Sequence, residues 1–129
     1  METLDNPAIS RLVARAKDDR EILAVILFGS RARGDASSAS DYDVCLVLAA
    51  PRSDLAAANK RLDYLASDDL DIGLFHQLPL HVRSRVLREG QVLYTRDEEA
   101  LYALAVRTAR AFEGFRHIYR GYLDAVARG

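Results

Sequence analysis

Residues 28–48 read Phe28-Gly29-Ser30-Arg31-Ala32-Arg33-Gly34-Asp35-Ala36-Ser37-Ser38-Ala39-Ser40-Asp41-Tyr42-Asp43-Val44-Cys45-Leu46-Val47-Leu48. An apolar run, Ile22–Phe28, stops at Gly29-Ser30, and a second begins just after two aspartates. Both runs are short and rich in Ile, Val and Leu, which predicts buried strands rather than helices. Gly29 lets the backbone turn sharply and lets a ligand approach the main chain. Ser30 adds a hydroxyl and an amide where unpaired N–H groups attract phosphate. Side chains alternate along a strand, so Asp41 and Asp43 project to one side and Tyr42 to the other, with Cα atoms roughly 6.5–7 Å apart. Two ionised carboxylates that close repel unless a cation or proton intervenes. Mg²⁺ suits them, because it accepts one or two carboxylates and fills its other positions with water and substrate phosphates. A phosphate-cradling turn facing a Mg²⁺ pair is a nucleotide site.

The rest of the chain supplies the frame. Asn6 and Pro7 predict the cap and first residue of a helix with Ile9, Leu12, Val13 and Ala16 on one face. A helix capped by Ser53 or Asp54 and running to about residue 66 is expected to turn Leu55, Ala58, Leu62 and Leu65 inward. Residues 68–75 predict a third strand, in which Asp71 leaves the face shared by Leu70 and Ile72 and can join Asp41 and Asp43. Asp69, on the same side at the strand's edge, is the alternative third acid. A helix over residues 80–88 closed by Gly90, and a short fourth strand Gln91–Thr95, follow. Asp97, Glu98 and Glu99 then open a long helix towards residue 127, which Gly114 and Gly121 are placed to bend or break. Its distal aromatics, Phe112, Phe115, Tyr119 and Tyr122, are expected to meet a partner or a second copy of the chain.

Length and composition set limits. At 129 residues a single domain, 1–129, is expected. An apolar share of 50% beside 29% charged residues supports a buried core and argues against disorder. A formal charge of −1 argues against a chain that coats nucleic acid, so no direct nucleic-acid partner is expected. One cysteine, Cys45, excludes an internal disulfide, and with an acidic start and no membrane-length apolar run the expected setting is the cytoplasm, with no membrane contact. Cys45 itself reads as a small core hydrophobe. His76, His81 and His117 lack zinc-ligand spacing.

Strand, Gly29-Ser30, ten residues, Asp41-Tyr42-Asp43 and second strand together resemble the nucleotidyltransferase superfamily that includes DNA polymerase β and the aminoglycoside nucleotidyltransferases. The wording Gly29-Ser30-Arg31-Ala32-Arg33-Gly34 and the small size are similar to the minimal nucleotidyltransferases, the antitoxins of HEPN/MNT toxin–antitoxin pairs. The resemblance implies an α+β nucleotidyltransferase fold: a small mixed sheet of about four strands flanked by helices, with the long C-terminal helix. It implies Asp41, Asp43 and Asp71 as catalytic and Mg²⁺-binding residues, Gly29, Ser30 and Arg33 as nucleotide-binding residues, and ATP as substrate. It further implies transfer of AMP to a tyrosine of a HEPN ribonuclease, with the helix over residues 97–127 contacting a partner or another copy. Two other functions stay open: an antitoxin that neutralises by binding alone, and a transferase acting on a small molecule such as an aminoglycoside.

Overall fold

A computed structural model describes residues 6–29, 42–64 and 70–128. Asn6 caps the first helix, α1 (Pro7–Lys17), its side-chain oxygen accepting from the amides of Ala8 at 2.9 Å and Ile9 at 3.2 Å. The strands are β1 (Ile22–Phe28), β2 (Tyr42–Leu48), β3 (Leu70–Leu74) and β4 (Gln91–Thr95), in the order β3-β2-β1-β4. β1 runs antiparallel to β2 and β4, whereas β2 and β3 are parallel, joined through α2 (Asp54–Tyr64). A 3₁₀ turn (Phe75–Gln77), α3 (Leu80–Glu89) and α4 (Glu98–Arg128) complete the described elements. The sheet is mixed and four-stranded, as the sequence predicts.

The two central strands are apolar apart from Asp43 near the start of β2, because both of their faces are covered. On one face, Val25, Leu27, Val44, Leu46 and Ile72 pack against Ile9, Leu12 and Val13 of α1 and against α2. On the other, Ala24, Ile26, Cys45 and Val47 meet Phe75, Val86 and the first turns of α4. Alternation fails only at Leu23 and Ala24, which share a face because the register slips between Ile22 and Ala24. Arg96 then ties the end of α1 to the sheet, its guanidinium donating to the carbonyls of Lys17 at 2.9 Å and Asp19 at 3.2 Å.

α2 corrects the sequence reading. Ser53 caps it, accepting from the Ala56 amide at 3.2 Å, but the helix is turned about half a revolution from the expected face. Leu55 and Leu62 are 73% and 61% exposed, and Ala58 is exposed too, while Ala57 and Tyr64 are buried. Leu65 lies outside the described residues. The inward face is held by polar anchors that apolar periodicity does not register. Lys60 pairs with Asp19 at 2.5 Å and Glu21 at 2.6 Å, Arg61 Nε donates to the Ile72 carbonyl at 2.5 Å, and the Tyr64 hydroxyl donates to Asp19 at 2.8 Å. Arg15 lies over the Tyr64 ring at 4.2 Å.

α4 runs unbroken through Gly114 and Gly121 for 31 residues, roughly 46 Å at about 1.5 Å per residue. Its first turns pack on the sheet through Leu101 and Leu104, and Thr108 is buried with its hydroxyl donating to the Leu104 carbonyl at 2.8 Å. Further along the helix large apolar side chains are exposed among the described residues, Ile118 at 73% and Val126 at 58%. None of the described helices is long and apolar enough to cross a membrane.

Two glycines separate packing from propensity. A β-carbon at Gly90 would overlap the Val86 carbonyl and come within 2.6 Å of Ile26 Cγ2, whereas one at Gly114 would meet nothing within 4 Å. Gly90→Ala is expected to destabilise by about 1–3 kcal/mol and Gly114→Ala to stabilise by roughly 0.5–1 kcal/mol, both measured by urea unfolding. Asp19 supplies a pH test. Burial opposes its ionisation, but hydrogen bonds from Lys60, Tyr64 and the Glu21 amide, and the Lys60 charge, outweigh it and hold the carboxyl below its ordinary value of 3.8. The stability this confers is complete above that ordinary value and is lost as pH falls through the folded-state one. Asp19→Asn therefore lowers stability by roughly 1 kcal/mol at neutral pH, a deficit that closes when unfolding is measured under strongly acidic conditions.

Candidate functional site

β1 ends at Phe28, which pairs with Asp43 across the antiparallel ladder, and Asp43 pairs in turn with Asp71 across the parallel ladder of β2 and β3. Side chains of register partners leave a sheet on the same side. Asp43 therefore shares a face with Cys45 and Val47 and with Phe28, while Tyr42 packs on the opposite face with the α1 layer. Leu70 and Ile72 take that α1 face as well, which leaves exposed Asp71 beside Asp43. Neighbouring strands lie about 4.8 Å apart, so the two carboxylates stand next to each other at one end of the sheet.

Gly29 completes the arrangement. It has a φ of 82°, a left-handed conformation that side chains rarely adopt, and is the only described residue with a positive φ. A β-carbon there would overlap Asp43 Oδ2 and sit 3.3 Å from its carboxyl carbon. Glycine thus allows the bend after β1, and it also leaves the space in which the Asp43 carboxylate lies against the main chain.

Of the residues singled out in the sequence, the structure brings together Gly29, Asp43 and Asp71. Ser30, Arg31, Arg33, Asp41 and Asp69 lie outside the described residues. Among the described residues no three His, Cys, Asp or Glu side chains cluster as a metal site. Asp43 and Asp71 nevertheless form the kind of donor set a hard cation accepts: two adjacent carboxylate groups at a partly open sheet end, oxygen donors only. Cys45, on the same face two residues along β2, adds no chemistry, since burial pushes its thiol up to about 12. Sequence reading did not single out Phe28 as Asp43's partner, because the register of an antiparallel pair joined by a long connection is not written in either strand alone.

Comparison with known proteins gives three kinds of match. Residues 11–99 match the family described as "Polymerase beta, Nucleotidyltransferase". A Methanocaldococcus jannaschii protein whose name marks it as an inferred protein adenylyltransferase is 27% identical over 100 residues, spanning 78% of this chain and 71% of that protein. Among solved structures, a chain of a toxin–antitoxin structure with AMP-PNP superposes with a TM-score of 0.68 at 19% identity, covering 92% of this chain and 95% of its own length. A chain from tri-AMPylated Shewanella oneidensis HEPN toxin in complex with MNT antitoxin gives 0.66 at 18% identity, covering 98% of both. At such identities these structures speak to the fold.

The contact between Gly29 and Asp43 is testable by itself. Gly29→Ala is expected to destabilise by about 1–2 kcal/mol from the left-handed backbone alone, plus a further loss from the overlap with the carboxylate. Thermal unfolding of a double-mutant cycle with Asp43→Ala isolates that second part: the loss is smaller when residue 43 carries no carboxylate.

Proposed function

The chain belongs to the polymerase β-type nucleotidyltransferase family, and from that premise we propose that it transfers AMP from ATP to a tyrosine hydroxyl of a HEPN-type ribonuclease toxin, acting as its antitoxin. In this reading residues 1–129 work as one nucleotidyltransferase domain in the cytoplasm. The observation that carries it is the in-register pairing of Asp43 with Asp71, with the Asp43 carboxylate lying against the main chain of Gly29.

Asp43 and Asp71, with Asp41, are the residues that would hold Mg²⁺. The ion would supply Lewis-acid stabilisation of charge on the α-phosphate and on the leaving pyrophosphate. Gly29 lets the triphosphate approach the backbone, and Ser30 and Arg33 neutralise and orient its outer phosphates. Asp71, more exposed than Asp43, faces the incoming acceptor and takes the hydroxyl proton. The acceptor oxygen bonds to the α-phosphorus, the bond from that phosphorus to the bridging oxygen breaks, and pyrophosphate carries away the electron pair. The exposed apolar stripe of α4 at Ile118, Leu123 and Val126 is the surface through which the chain holds its partner.

That same stripe favours a second reading, in which neutralisation comes from binding alone. One experiment separates the two: incubation with ATP labelled at the α-phosphate, Mg²⁺ and the protein encoded beside this chain. Label is expected on a tyrosine of that protein, and Asp43→Asn or Asp71→Asn is expected to reduce its appearance at least about a hundredfold and to abolish neutralisation. Variants that transfer no label and still neutralise fully would establish the binding-only reading instead.

A further inference from the structure

Two open cavities meet on the flank of α4. The first, of about 350 Å³, lies between α3 and α4 against Leu87, Ala105, Ala109 and Phe112, with Arg88 and Glu113 as its charged groups. The second, of about 320 Å³, lies between α4 and β4 against Leu87, Val92, Leu101, Tyr102 and Ala105, with Glu98 as its charged group. Leu87 and Ala105 line both, so the two form one trough along the helix. Its apolar surface is open to solvent, Tyr102 being 72% and Val92 48% exposed. An extended apolar patch with a charged rim marks a contact surface.

Charge narrows the occupant. Asp97, Glu98 and Glu99 open the helix with no basic residue before Arg107, whereas Arg107, Arg110, Arg116 and Arg120 then stand against one acid, Glu113. The helix macrodipole favours acids in the first turn, but its influence fades within that turn and does not account for arginines in the middle. A helix charged in this way complements a copy of itself laid antiparallel, acidic opening against basic middle. Residues eighteen apart share a helix face, about five full turns on, so Arg116 continues the face that Glu98 occupies in the trough. Among the described residues Glu98 makes no ion pair. Arg116 lies over the Phe112 ring at 5.8 Å and pairs with Glu113 at 3.1 Å. That pair is 43% and 69% exposed, a setting in which an ion pair contributes little and is readily exchanged.

We infer that the trough holds α4 of a second copy of this chain, the two helices antiparallel about a two-fold axis midway between Ala105 and Ala109. In such a contact the same patch serves on both sides, so one set of pairings occurs twice. Ala105 of each copy faces Ala109 of the other, and these small side chains form a low floor for close approach. Tyr102 and Phe112 each lie five residues from the midpoint in opposite directions, about 7.5 Å along the axis. Phe112 of each copy therefore enters the cavity beside the other's Tyr102, and one symmetric contact fills both cavities. Glu98 and Arg116 lie nine residues out, about 13.5 Å, and meet as an ion pair at each end. Ile118, Leu123 and Val126 project beyond this overlap and stay open. The inference does not rest on the nucleotidyl-transfer reading.

The test is sedimentation equilibrium of the full chain at about 1–200 μM in roughly 0.15 M salt, where charges more than about 8 Å apart are screened. The expected result is a reversible dimer of twice the 14.3 kDa chain mass. Ala109→Arg, at an exposed position, is expected to weaken association at least about tenfold while urea unfolding of the dilute protein is unchanged. Glu98→Arg is expected to weaken it about tenfold through the two lost pairs, and Arg116→Glu added to Glu98→Arg to restore it. Glu99→Arg, the same charge change one position round the helix, is expected to alter it less than about twofold. A monomer at every concentration, a dimer that Ala109→Arg leaves intact, or no rescue by the second charge reversal overturns the assignment. If the chain alone is monomeric and Ala109→Arg abolishes its complex with the protein encoded beside it, the trough belongs to that protein and not to a second copy. No arm contains nucleotide, so the outcome is independent of the labelling experiment.

Discussion

The Asp43 carboxylate occupies space that any side chain at Gly29 would claim. That exclusion links three levels of the structure. It requires glycine where β1 ends, it accompanies the left-handed φ of 82° at which the chain turns away, and it holds an acidic group against half-buried backbone at the sheet's end. The pairing of Phe28 with Asp43 sets this row, and the parallel pairing of β2 with β3 extends it to Asp71. A slip of one residue in either ladder would send one of the acids into the α1 layer. The buried faces forbid that slip, because Val44, Leu46 and Ile72 would then leave their core. Apolar packing on one side of the sheet thus determines where negative charge gathers on the other.

Much of this was legible in the sequence for a simple reason: β1 and β2 are covered on both faces, so their apolar runs begin and end where the strands do, at Ile22–Phe28 and Tyr42–Leu48. Asp71 was legible because β3 is an edge strand with one open face, and an acid alternating with Leu70 and Ile72 has only that face to occupy. Asn6-Pro7 signalled the first helix by local chemistry alone. The positions of Ser30, Arg33 and Asp41 fall outside the described residues.

What was not legible depended on contacts between distant segments. In α2 the leucines at 55 and 62 give an apolar stripe, yet the helix turns Tyr64 and the stem of Lys60 inward. Asp19 and Glu21, some forty positions earlier in the chain, decide this orientation. No periodicity within the helix encodes it. The glycines of α4 misled in the opposite direction: open space around Gly114 and Gly121 means that neither is needed for a bend.

Among the described residues, α4 packs on the body through its first half, by Leu101, Leu104 and buried Thr108. Its second half exposes Ile118, Leu123 and Val126. At the root of the helix Leu104 packs against the same apolar layer that contains Cys45 and Phe28. Phe28 is the strand partner of Asp43. One apolar layer therefore serves both as the seat of the long helix and as the floor beneath the acidic pair.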